Sequence, residues 1–220
     1  QILLPHKGAM VKADRYWILM GRGYQSKLEF LSAPGRSMQG LLTTSLLATL
    51  LLGSAALADQ NDPRLEDLFK QLHDAPDMDA AAPVEEAIWQ LWVEHDDPAT
   101  SQLMFTGIAQ MNSNNISGAL ATFTELVQLA PQYAEAWNKR ATLYYLMGEH
   151  DKSELDIQKT LELEPFHFGA LSGRGLVRMG KRDFEGARNA FSAALEVHPN
   201  MDAVRGNLRA IEEFLRGRTI

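Results

Sequence analysis

Apolar residues in the second half of the chain recur at helical spacing, in paired stretches separated by short polar turns. Between residues 100 and 201 the stretches are broken by Asn112–Asn115, Gly148–Asp151 and Gly180–Asp183, and by three prolines. Pro131, Pro165 and Pro199 stand 34 residues apart, and each closes a similar phrase: "ELVQLAP", "TLELEP" and "ALEVHP". Registered on them, the chain divides into three units, 100–133, 134–167 and 168–201. Position 4 of the units holds Leu103, Trp137 and Leu171, and position 24 the bulky Phe123, Ile157 and Phe191. Position 8 holds only small residues (Gly107, Ala141, Gly175), as does position 20 (Ala119, Ser153, Ala187).

Those sizes predict a packing scheme. Small residues at 8 and 20 let the two helices of a unit approach, while the bulky groups at 4 and 24 fill the space between units. Proline at 32 ends the second helix, because it lacks an N–H and restrains the residue before it. Asp151 with Glu154 predicts a cap on the second helix of the middle unit. A lone unit cannot bury its apolar face, so the units must stack. Upstream, "RLEDLFKQLHDA" and "PVEEAIWQLWVEH" predict two more amphipathic helices, read as a degenerate first repeat over 59–99. In the same register Trp89 falls at position 24 and Trp92 at 27, as core that seals the first full unit; ligand stacking is the other reading of that pair. Residues 202–220 predict a C-terminal capping helix with a polar outer face.

The register resembles the tetratricopeptide repeat (TPR) family, whose 34-residue pattern is W-x2-L-G-x2-Y…A-x3-F…P. The middle unit matches with Trp137, Ala141, Tyr144, Ser153, Ile157 and Pro165, the third with Gly175, Ala187, Phe191, Ala194 and Pro199, and the first with Gly107, Ala119, Phe123 and Pro131. The resemblance implies an all-α fold: a right-handed helical-hairpin solenoid, a TPR-like superhelix, of about three and a half repeats plus a capping helix. Position 7, usually Leu in the family, holds Thr106, Arg140 and Arg174, and the arginine heads must reach water or a carboxylate. Position 11 holds Gln110 and Arg178 where the family has Tyr.

The family's first helices line a concave groove, with positions 2, 5, 9, 12 and 13 facing the ligand. The resemblance therefore implies a groove of Ser101, Met104, Ile108, Met111 and Asn112, then Glu135, Asn138, Thr142, Tyr145 and Leu146, then Gly169, Ser172, Leu176, Met179 and Gly180. Apart from Glu135 the lining is apolar to neutral, and its three methionines suit an adaptable surface. Some members capture a chaperone's C-terminal carboxylate with Lys, Asn and other basic groups; here those places hold Met104, Ile108, Lys139, Gly169 and Gly173, so that activity is not expected. The expected function is a non-catalytic protein–protein interaction module that takes a peptide or an amphipathic helix in the groove. A self-associating structural subunit of an assembly complex is the alternative. The sequence leaves the groove either open or filled by the terminal helix or the helix near 64–75.

Composition narrows the classes further. A formal net charge of −7 opposes a nucleic-acid surface, and the absence of cysteine excludes disulfides and thiol chemistry. The histidines form no H-x3-H or H-E-x-x-H pair, "VEHDD" at 93–97 reads as a solvated turn, and no enzyme or cofactor is expected. Residues 1–37 show no sustained period and read as a poorly ordered or non-native extension. "LLTTSLLATLLLGSAALA" ends in Ala56-Leu57-Ala58 behind Arg22, Lys27 and Arg36, so 38–58 reads as a signal peptide; an uncleaved anchor and a buried helix are the other readings. Beyond it the chain carries 15 basic and 26 acidic residues, and the expected location is the periplasm.

Overall fold

The computed structural model describes residues 59–217. The extension and signal-like run, 1–58, and the last three residues lie outside the described residues. Among the described residues all regular structure is helical: α1 (Arg64–Asp74), α2 (Met78–Val93), α3 (Pro98–Asn112), α4 (Ile116–Leu129), α5 (Ala134–Leu146), α6 (His150–Leu163), α7 (Phe168–Gly180), α8 (Phe184–Val197) and α9 (Asp202–Arg216). None of them is long and apolar enough to cross a membrane.

Local chemistry sets the helix starts. Asp77, Asp97, Asn115 and Asp183 cap α2, α3, α4 and α8, each side chain accepting from the N–H three residues on. The cap expected at Asp151 is absent, because α6 begins at His150. Asp151 instead lies in the first turn, where a carboxylate suits the positive helix end, and it takes Lys181 Nζ at 2.6 Å. The turn inside each unit needs a left-handed residue at the same register position: Asn114 (φ 59°), Gly148 (φ 76°) and Arg182 (φ 62°). Glycine adopts that conformation freely, whereas a side chain such as that of Arg182 adopts it at a cost of about 1–2 kcal/mol.

The hairpins α3–α4, α5–α6 and α7–α8 follow one another as a solenoid, with α4 against α5, α6 against α7, and α9 closing over α8. Position 24 packs within its own unit, over position 8, rather than chiefly between units. A Cβ on Gly107 would come within 2.5 Å of the Phe123 ring, and one on Gly175 within 2.3 Å of Phe191. In the middle unit the pair is Ala141 and Ile157, both fully buried. Gly175→Ala is thus expected to destabilise by about 1–3 kcal/mol through overpacking. Gly206→Ala, on an exposed stretch of α9 with nothing within 4 Å of the new methyl, is expected to stabilise by about 0.5–1 kcal/mol. Urea midpoints followed by circular dichroism should move in opposite directions.

The arginines at position 7 find carboxylates. Arg140 makes a bidentate pair with Asp156 at 2.7 and 2.8 Å and lies against the Trp137 and Tyr144 rings. Arg174 and Arg178 converge on Glu154 at 3.1 and 3.2 Å, tying α7 to α6. The first hairpin departs from the expected course: instead of stacking behind α3, it places α2 against α5 and α1 against α8.

Candidate partner-binding groove

Helix α2 runs along the row of inter-unit turns, opposite to the order of the units. Near its middle, Glu85 meets His198 Nε2 at 3.2 Å, after α8. Trp89 and Trp92 reach the turn before α7, and the carbonyl of Val93 accepts from Tyr133 Oη at 2.7 Å, before α5. Hydrogen bonds from the flanking segments hold the ends. His73 Nδ1 lies 2.9 Å from the Glu196 carbonyl, Asn200 Nδ2 donates to the Ala75 carbonyl at 2.8 Å, and Gln60 bridges the Gln132 carbonyl and the Ala134 N–H.

The aromatic contacts are close. Trp92 stacks on His167 at 3.9 Å with 11° between the rings, and Trp89 meets Trp92 and Phe168 edge-on. Lys139 Nζ sits 5.1 Å from the Trp89 ring centroid, a cation–π contact. Both tryptophans are core, yet they seal the second and third units and not the first. Gly169 makes the room: a Cβ there would come within 2.8 Å of the Trp89 ring. The first unit has the bulky Met104 and Ile108 at the matching face, and these share a core with Val93.

Beneath the tryptophans lies a polar floor whose hydrogen bonds and ion pair are made within the array. Lys139 Nζ binds one oxygen of Glu135 at 2.8 Å; Asn138 Nδ2 and His167 Nε2 bind the other at 2.8 and 2.9 Å. His167 Nδ1 accepts from the Ala170 N–H, so the ring hydrogen sits on Nε2 and is donated to Glu135. Burial pushes the Glu135 carboxyl up, but the Lys139 charge and the His167 hydrogen bond outweigh it and hold the group below its ordinary 4.5. Thr142 donates to the Asn138 carbonyl and Ser172 to that of Gly169.

The implied groove residues therefore divide. Met104, Ile108, Asn138, Thr142, Ser172 and Leu176 are buried, as are Glu135 and Gly169. Met111, Asn112, Tyr145 and Met179 are half-buried, and Leu146 is 40% exposed beside Met147 at 50%. What stays open is a strip across the C-terminal ends of α3, α5 and α7. Lys139, the one basic group at the carboxylate-capture places, is already bound to Glu135.

His167 and His198 lie in the inter-unit turns, and both are fully buried. A signal was present: register position 34 holds Tyr133, His167 and Met201, all large and all buried. Near "VEHDD", His95 Nδ1 accepts from the Asp97 N–H and its ring lies beside Tyr133. Among the described residues no three His, Asp or Glu side chains converge as a metal site would require.

Comparison with known proteins agrees with this architecture. A family model described as tetratricopeptide repeat matches residues 106–167. A TPR repeat-containing protein of Rhizobium etli is 32% identical over 154 residues, covering 70% of this chain and 76% of that relative. The heat-shock protein cognate co-chaperone sgt12 of Aspergillus fumigatus is 30% identical over 126 residues, covering 54% of this chain but only 37% of its own length. Among solved structures, the Sgt2 TPR domain from Aspergillus fumigatus superposes with a TM-score of 0.53 at 25% identity, over 56% of this chain and 83% of that one. The first TPR of Spaghetti (RPAP3), bound to the HSP90 peptide SRMEEVD, gives 0.53 at 22% identity over 55% and 96%, a likeness of fold alone. With the repeat register, the stacked hairpins and a relative matched along most of both lengths, the chain belongs to the tetratricopeptide repeat family.

Proposed function

We propose that this protein is a non-catalytic protein–protein interaction module of the cell envelope, exported to the periplasm, that holds a segment of another protein on its concave side. The observation that carries the reading is the exposed apolar pair Leu146 and Met147 at the rim, flanked by the half-buried Met111, Tyr145 and Met179. Flexible methionines beside one aromatic ring suit contact with a partner's apolar residues. The location rests on the signal-like run at 38–58.

The test is capture from envelope extract with residues 59–220 as bait, beside Leu146→Glu and Met179→Glu. Both substitutions place a charge on the rim while sparing the buried floor. The expected result is partners retained by the parent and lost from both variants, with circular dichroism unchanged. Identical capture by all three would move the working surface away from the rim. Cell fractionation and N-terminal sequencing check export: the expected mature protein is periplasmic and begins at Asp59.

A further inference from the structure

We infer that the buried part of the groove is itself a helix-binding site whose resident ligand is α2. The outside partner it fits is an amphipathic helix with two aromatic anchors three residues apart and a carboxylate four residues before the first. This deepens the reading of the chain as a partner-binding module and rests on it.

Four observations support the assignment. The recognising groups of α2 (Glu85, Trp89 and Trp92) lie at i, i+4 and i+7, one face of a helix, and each meets a different feature of the array: His198, then Gly169 with Lys139, then His167. Apart from the contact of Lys139 with the Trp89 ring, the hydrogen bonds and ion pair of the groove floor are made without α2. Glu135, Lys139, Asn138, Thr142 and Ser172 bond to one another, to His167 or to the backbone of their own helices, so withdrawing the hairpin strands none of those bonds. The hairpin is joined to α3 only through residues 94–97, of which Asp96 and Asp97 are exposed. Finally, α1 and α2 leave between them a surface cleft of about 530 Å³, lined by Leu68, Ala87 and Leu91 among polar neighbours, so the hairpin is less fully packed on its outer side than on the groove side. Tethering makes α2 a strong competitor, because a short linker gives the resident segment an effective concentration near the millimolar range or above. An outside helix therefore binds only when that advantage is removed or overcome.

The experiment removes it without touching the groove. A protease site is inserted after Asp96 in the full 220-residue chain, leaving the Asp97 cap in place. A fluorescent 36-residue peptide spanning 60–95 is then titrated against uncut and cut protein by anisotropy. The expected result is uptake by the cut protein, displacement of the unlabelled hairpin, and affinity for the uncut protein weaker by on the order of 100-fold. The same peptide with alanine in place of Trp89 and Trp92 should not bind.

Three results would overturn the inference. One is a cut protein that keeps its hairpin until the array melts in urea, or that loses its helices on cutting, since α2 is then permanent core. Another is equal binding to cut and uncut protein, which puts the peptide elsewhere. The third is a light-scattering mass of two chains for uncut protein, which makes a second copy the occupant. The exchange assay is blind to the rim, so loss of the capture result with Leu146→Glu and failure of exchange are separable.

Discussion

Trp92→Ala is expected to destabilise the protein by about 3–5 kcal/mol, the range for removing a large aromatic side chain from a closed core. Trp92 is 1% exposed, stacks on His167, and touches Trp89, Phe168 and Phe69. Its loss leaves a cavity bounded by two elements about 75 residues apart in sequence, α2 and the turn before α7, so the array should weaken together with the hairpin. Urea unfolding should show one transition moved to lower denaturant by circular dichroism and by the fluorescence of the remaining tryptophans. Trp92→Phe, which keeps a ring over His167, should lose less than half as much. An unchanged main transition with only a small early loss of helix would mean that the hairpin is an appendage.

Glu135→Gln is expected to cost about 3–5 kcal/mol at neutral pH, because it leaves Lys139 buried without a counter-charge. The double change Glu135→Gln with Lys139→Met should recover much of the loss, since a buried pair replaced by uncharged groups is often close to neutral. The pH dependence has a definite sign. The carboxyl of Glu135 is held below 4.5 in the folded protein, so its contribution is fully present above about 4.5 and fades as pH falls through the lower folded value. Glu164 works the other way: burial raises its carboxyl above 4.5, and acid relieves that cost. Comparing wild type with Glu135→Gln at each pH isolates the first group. The gap between their stabilities should be wide at pH 6–7 and narrow as the pH falls below 4.5 through the lowered folded value. A gap that stays constant would mean that Glu135 is not the charged partner of Lys139.

The fold was largely legible because its determinants are local and repeated. Spacing of 34 residues, small residues at 8 and 20, and proline at 32 are read without knowing any long-range contact. The arginines at position 7 were also understood in kind, although their partners Asp156 and Glu154 required the structure. Helix starts were less secure: α6 opens at His150 because Gly148 turns the chain first, which moves Asp151 from cap to first turn.

The candidate site was half legible. The register picked the helix faces that line the groove, but nothing in a repeat pattern says what covers them. The hairpin's course depends on contacts across 70 to 125 residues, such as Gln60 with Gln132 and Ala75 with Asn200, and such pairs leave no periodic trace. Gly169 was the closest thing to a written signal. A glycine at a groove position of a helix is poor for helix stability and is explained by the Trp89 ring that rests on it.

The central claim, that the first hairpin lies across the second and third units, can be tested by cross-linking in a chain with no natural thiols. Ala75→Cys and Asn200→Cys put single thiols on α1's C-terminal flank and on the turn after α8, where the native side chain and carbonyl are 2.8 Å apart. A short thiol–thiol cross-linker at low protein concentration should give one compact monomeric band on a denaturing gel, and a band of normal mobility when only one thiol is present. Absence of that band, with both thiols reactive and the protein folded, would contradict the hairpin's place in the groove.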